Sequence, residues 1–165
     1  MTGSTTTFDA PALRAAFGRF PSGVVAVCVE IDGERVGMAV SSFVAVSLDP
    51  PLVAFCVQNT STTWPRFGAS AHIGISVLGE VHHQAARTLA QKAGNRFDGL
   101  VTQTTDGGAV FVDGAVMWLD VSVTDTVPAG DHAIVLMHIN DIEHRDGVLP
   151  IIFHDSQFRR LVTEI

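Results

Sequence analysis

Charge is scarce in this chain: 16% of its 165 residues are charged, against 47% hydrophobic. So few charges cover a monomer of this size poorly, and an apolar homodimer interface is expected. Ten Lys and Arg face seventeen Asp and Glu, for a formal charge of -7. That balance excludes a nucleic-acid or anionic-membrane surface, which needs clustered basic residues to displace counterions. No apolar run approaches the roughly 20 residues that span a bilayer. There are only two cysteines. Cys28 in VVAVCVE and Cys56 in LVAFCVQ sit inside apolar runs without basic neighbours in sequence, and read as reduced packing residues. Histidine occurs seven times but never at HExxH or Cys/His zinc spacing, so no metal site is expected. GxGxxG, Walker and GxSxG motifs are all missing, so any dinucleotide must be held another way.

What is present is mostly strand. Residues 1–7 are polar and repetitive and are expected to form a disordered tail ahead of a single domain, 8–165. The opening MTGSTTTFD lacks a basic, then apolar, leader pattern, and a cytoplasmic protein is expected. Asp9 can cap a short helix with Pro11 in its first turn, turning Leu13, Phe17 and Phe20 inward. Residues 23–29 are apolar throughout, as in a strand buried on both faces. Asp32-Gly33 supplies a hairpin turn. Further strands are predicted at 43–47, 52–57, 72–78, 109–112, 116–127, 132–142 and 151–154, with a short helix over 62–70. Val81, Ala85, Leu89 and Ala93 recur every four residues and predict one long helix, 81–93, with Gly94 as its stop and His82 and His83 on its exposed face. Many strands with few helices point to an antiparallel barrel.

Two constellations could carry chemistry. The run Gln58-Asn59-Thr60-Ser61-Thr62-Thr63, followed by Trp64-Pro65, gathers hydroxyl and amide donors at a helix start, where an anion would bind without any lysine. Taken alone, it also reads as an N-cap cluster bonding only its own backbone. Gly130-Asp131-His132 lies before the strand AIVLMHI, where Gly-Asp is a turn signal and His132 could simply end a strand.

These segments, with Gly37 to Phe43 (GMAVSSF), Ser22-Gly23-Val24, Arg96-Phe97 and Pro150 to Leu161, resemble the short-chain flavin reductase family from about Leu13 to Leu161. The resemblance implies a mainly β, α+β fold: a split antiparallel β-barrel of the FMN-binding type with flanking short helices. It implies an NAD(P)H:flavin oxidoreductase, with FMN or FAD as flavin and NADH or NADPH as hydride donor. Met38, Ala39, Val40, Ser41 and Ser42 would lie along the flavin ring. Gln58, Asn59, Ser61, Thr62 and Thr63 would hold the ribityl phosphate region, Arg96 and Phe97 would close over the cofactor, and His132 would be the catalytic residue that orients the nicotinamide. Reduced flavin would pass to a partner flavin-dependent monooxygenase. Val25 and Ala39 stand where the family often carries threonine, each removing a hydroxyl expected near the flavin. Two alternatives share the barrel: a flavoprotein with tightly held FMN that serves as an electron carrier or acts on its own small substrate, or a non-catalytic nucleotide-binding module.

Overall fold

The computed structural model describes residues 7–162 and 164–165; the expected tail lies, but for Thr7, outside the described residues. In chain order the elements are helix α1 (Ala10–Phe17), β1 (Ser22–Gly23), β2 (Val25–Ile31), β3 (Glu34–Val40), β4 (Val44–Leu48), β5 (Pro51–Gln58), β6 (Ile73–Val77), helix α2 (His83–Leu89), β7 (Thr102–Thr104), β8 (Val110–Val112), β9 (Met117–Ala129), β10 (His132–His144), β11 (Ile152–His154) and β12 (Gln157–Arg159). Single 3-10 turns occupy Trp64–Phe67 and Glu80–His82.

Seven strands form one antiparallel sheet in the order β3-β2-β6-β9-β10-β5-β4. Its two edges, β3 and β4, are neighbours in the chain, joined by residues 41–43 alone. Six interstrand spacings would separate the edges of a flat sheet by about 29 Å, whereas the four Cα steps from Val40 to Val44 reach at most about 15 Å. The sheet must therefore curl, leaving an unpaired seam between β3 and β4. This is the mainly β, split-barrel arrangement expected from the sequence.

β2 is buried on both faces, as its unbroken apolar run predicts. Val25, Val27 and Val29 join Phe55, Ile75, Leu119 and Met137 in one core cluster. Val24 and the alternate residues Ala26 and Cys28 join Leu78, Leu89, Phe97 and Val110 in a second, under α2. Burial pushes the Cys28 thiol up to about 12, so it stays an uncharged packing group. Asp32 and Gly33 both take positive φ, 52° and 79°, as a two-residue type I′ hairpin turn requires. Gly74 is needed for a different reason: a Cβ there would stand 2.1 Å from the Val110 carbonyl oxygen, so β6 and β8 could not lie this close.

Three expectations are corrected. Asp9 caps α1 through a 2.8 Å bond from the Ala12 N–H, yet no residue of that helix is buried. Phe17 is 70% and Phe20 80% exposed, because α1 rests on neither core cluster. The long helix predicted over 81–93 is instead a 3-10 turn followed by seven residues of α2. It ends at Ala90, whose N–H reaches back to Ala86 while Gln91 bonds Thr88, a tightened last turn; Val81 and Ala93 face out. His82 is half-buried rather than exposed: its Nδ1 accepts the Gly79 N–H and its Nε2 meets the Asp113 carbonyl, both at 3.0 Å.

Candidate active site

The seam between the sheet edges opens into a cleft of about 610 Å³. One wall is the end of β3 and the link after it, Met38, Ala39, Val40, Ser41 and Ser42. The opposite wall is the end of β5 and its loop, with Gln58, Ser61, Thr62 and Thr63, and His132 enters from β10. Chain separation between these groups is closed by strand pairing. β10 runs antiparallel to β5 with His132 directly opposite Gln58. Asn59 completes the junction, its N–H bonding the Asp131 carbonyl at 3.0 Å and its Nδ2 the Gly130 carbonyl at 3.1 Å.

Within that frame, some predicted side chains are already committed to the protein. Ser42 Oγ accepts the Cys56 N–H at 2.9 Å and donates to the Cys56 carbonyl at 3.1 Å, standing in for a paired strand on β5. Ser61 Oγ accepts the Trp64 N–H, and Ser61 N–H bonds the Gln58 carbonyl. The N–H groups of Thr60, Thr62 and Thr63 have no acceptor among the described residues and remain open to an anion. The helix expected over 62–70 is only the four-residue 3-10 turn, too short for an appreciable dipole, so these individual donors take its place.

Arg96 is the clamp of the site. Its Nη1 donates to the Gly37 carbonyl at 3.0 Å and to Thr63 Oγ1 at 2.9 Å, tying the β5 loop to the β3 edge across the seam. Phe97 is buried in the second core cluster, with the Arg35 guanidinium 4.9 Å above its ring. It borders a neighbouring cleft and not this one, so it supports Arg96 from below and does not close over the site. Asn59 likewise lies outside the cleft lining and acts through the Gly130-Asp131 turn. Val25 is a core residue away from the cleft, so the hydroxyl its threonine would carry is no part of the site, whereas Ala39 does line it.

His132 Nδ1 lies 2.7 Å from the Asp131 carboxylate. That hydrogen bond holds the exposed Asp131 carboxyl below the usual carboxylate range. His132 itself lines the cleft. The wall combines the apolar groups of Met38, Val40, Val57 and Leu89 with the hydroxyl loop and two cations, Lys92 and Arg96. A flat aromatic ring fits the apolar part and a phosphate the donor-rich part, the composition expected of a cofactor site.

The model of the flavin reductase like domain matches residues 17–162. The chain belongs to the flavin reductase-like family. A flavin reductase of Pseudomonas putida is 35% identical over 142 residues, 86% of this chain and 84% of that one. Among solved structures, the NADH:FAD oxidoreductase SgcE6 of Streptomyces globisporus, in complex with NAD and FAD fragments, superposes with a TM-score of 0.88 at 33% identity, covering 93% of each chain. BorF, the flavin reductase component of a bacterial two-component tryptophan halogenase, gives 0.86 at 28% identity over 94% of this chain and 100% of that one. No helix among the described residues is long and apolar enough to cross a membrane.

For a flavin reductase-like protein the sequence reading missed Lys92, the only lysine in the chain, which borders this cleft and the neighbouring one. Its signal was hidden by the predicted long helix, in whose last turn a lysine reads as an ordinary C-terminal charge. Cys56, Val57, Leu89 and Ala90 also line the cleft; as apolar residues of strand and helix they carried no chemical signature.

Proposed function

We propose that this protein is an NAD(P)H:flavin oxidoreductase that binds FMN or FAD in the 610 Å³ cleft and takes a hydride from a reduced nicotinamide bound beside it. The observation that carries this reading is the β5–β10 register, which sets His132 opposite Gln58 in a cleft whose other wall is the Met38–Ser42 segment. When bound, the flavin supplies the hydride acceptor, so the protein needs no acid–base pair of its own. Its residues bind and orient. Lys92, Arg96 and the open N–H groups of the 58–63 loop hold the phosphate, Met38, Ala39, Val40 and Ser41 flank the ring, and His132, fixed by Asp131, positions the nicotinamide.

The reduced flavin is handed to a separate flavin-dependent monooxygenase, a role supported by the likeness to HsaB, the reductase subunit of a flavin-dependent monooxygenase of Mycobacterium tuberculosis, and by a cleft open to solvent. The working unit is a homodimer: β4 exposes Val44, Val46 and Leu48 on alternate positions, and Phe17 and Phe20 are exposed as well. Such apolar surface is what a permanent subunit contact covers.

The test is steady-state oxidation of NADH and NADPH with riboflavin, FMN and FAD, for wild type and His132→Ala. His132→Ala is expected to raise KM for the nicotinamide about tenfold or more while the flavin Kd, read by fluorescence titration, holds. Unchanged nicotinamide kinetics would remove His132 from the site, and absence of any flavin binding would remove the reading as a whole.

A further inference from the structure

The outer half of the β9–β10 hairpin has little to hold it. β6 pairs with β9 only from Met117 to Val121, so beyond Val121 the one strand beside β9, among the described residues, is β10. Val123 to Asp131 are all exposed. On its other side β10 pairs with β5 as far as His132 opposite Gln58, where the ladder ends. The tip beyond is a two-residue loop, Gly130-Asp131, between the paired Ala129 and His132; Gly130 takes φ 68°, which glycine adopts freely. A single residue takes both carbonyls of that loop. Asn59 donates its N–H to Asp131 at 3.0 Å and its Nδ2 to Gly130 at 3.1 Å.

We infer, on the flavin reading of the cleft, that Asn59 is a positioning residue that couples the 58–63 loop to His132, so that an occupied loop tightens nicotinamide binding. The Asp131 carboxylate fixes the His132 ring at 2.7 Å, yet that carboxylate is 96% exposed and no packing fixes it in turn. What sets the direction from which it reaches the ring is its backbone, and Asn59 holds that backbone from outside the hairpin. Asn59 also belongs to the loop. The Ser61 N–H bonds the Gln58 carbonyl, closing a turn around Asn59 and Thr60, and the N–H groups of Thr60, Thr62 and Thr63 are those open to an anion. The hairpin tip has two states, gripped by Asn59 or released, and a ligand that orders the loop favours the gripped one. Such coupling is reciprocal, so a bound nicotinamide must tighten the flavin by the same factor.

The experiment titrates NAD⁺ by calorimetry into flavin-free, riboflavin-loaded and FMN-loaded protein, for wild type, Asn59→Ala, Asn59→Asp and Asp131→Ala. In the flavin-free proteins, NMR relaxation of the His132 Cε1–H reads the order of the ring. Riboflavin has no phosphate for the loop, so its difference from FMN isolates the loop's part. Wild type should bind NAD⁺ at least about fivefold more tightly with FMN than with riboflavin. Asn59→Ala should erase that difference with the affinity for FMN alone unchanged, because Asn59 lies outside the cleft lining. Its His132 ring should become as mobile as in Asp131→Ala, and in turnover the nicotinamide KM should rise about fivefold with kcat changed less. Asn59→Asp keeps the backbone donor and the side-chain volume but loses the Nδ2 donor; it should match Asn59→Ala, and it keeps the test open should the alanine variant fold poorly. Equal NAD⁺ affinity with riboflavin and FMN in wild type, a difference that survives both Asn59 variants, or an unchanged His132 ring overturns the inference. So does a loss of affinity for FMN alone in Asn59→Ala, which would make Asn59 a direct flavin contact. If wild type binds no flavin, the flavin reading fails and the coupling with it, whereas His132 ring order still decides whether Asn59 positions that residue.

Discussion

Arg96→Met removes the two bonds that hold the seam, 3.0 Å to the Gly37 carbonyl and 2.9 Å to Thr63 Oγ1, while keeping most of the side-chain volume. Hydrogen bonds from a charged donor contribute roughly 1.5–3 kcal/mol each when buried. Here the group is half-buried and both acceptors can rehydrate in the variant, so the lower end applies to each bond and the total loss is about 3 kcal/mol. With a urea m-value of about 2 kcal/mol/M, the unfolding midpoint should fall by about 1.5 M. Flavin binding should suffer separately, because the variant loses both a cation and the anchor of the phosphate loop; a rise in Kd of at least about tenfold is expected. A double-mutant cycle with Thr63→Val then isolates the clamp. If Arg96 acts by tying the loop to β3, the two variants must couple by more than about 0.5 kcal/mol in stability. Additive losses, or a flavin Kd that stays at the wild-type value in Arg96→Met, would refute the clamp.

Gly74→Ala places a methyl group 2.1 Å from a backbone oxygen that no rotamer change can move. It should cost at least about 3 kcal/mol, the upper end for overpacking, and leave little folded protein by circular dichroism at 37 °C, whereas a near-wild-type midpoint would show that β8 can retreat. His82 gives a pH signature. Burial holds its imidazole below the ordinary 6.5, and Nδ1 must stay unprotonated to accept the Gly79 N–H. The unfolded chain therefore binds the proton more readily, so this contribution to stability is complete above pH 6.5 and is lost as pH falls from there toward the lower folded value. Urea midpoints at about pH 7.5 and about pH 5 should drop more for wild type than for His82→Gln, and parallel drops would remove His82 as a source.

Where the sequence carried a strong local pattern, the structure follows it. The unbroken apolar run of β2, the Asp32-Gly33 turn and the Asp9 cap are all local statements, each decided by a few adjacent residues. The cleft was legible to the extent that its residues are polar or belong to a recognisable motif. Ser41, Gln58, Thr63, Arg96 and His132 do converge, although nothing in their spacing says so without the β5–β10 ladder. Phe97 was misplaced because an aromatic residue beside a functional arginine looks like a lid, while its burial depends on Gly37, a position distant in sequence that leaves room for its ring. Phe17 and Phe20 show the converse. Their helical spacing implies an inward face, but spacing cannot say whether the covering surface belongs to the same chain. Lys92 was lost to an over-long helix: fourfold recurrence continued past Leu89, but the backbone tightened and turned away at Ala90.

The pairing of His132 with Gln58 also bears on how such a protein can diversify. Backbone atoms of directly opposed residues in an antiparallel pair sit about 5 Å apart, a distance set by the hydrogen-bond ladder and insensitive to side-chain identity. Seven consecutive residue pairs of β5 and β10 maintain it. Changes in the 58–63 loop, in residues 90–95 or at the tip of the β9–β10 hairpin can therefore alter which molecules are admitted without altering the distance between His132 and Gln58. Selectivity and reach are inherited separately, one written in loops that tolerate replacement and the other in a register that does not.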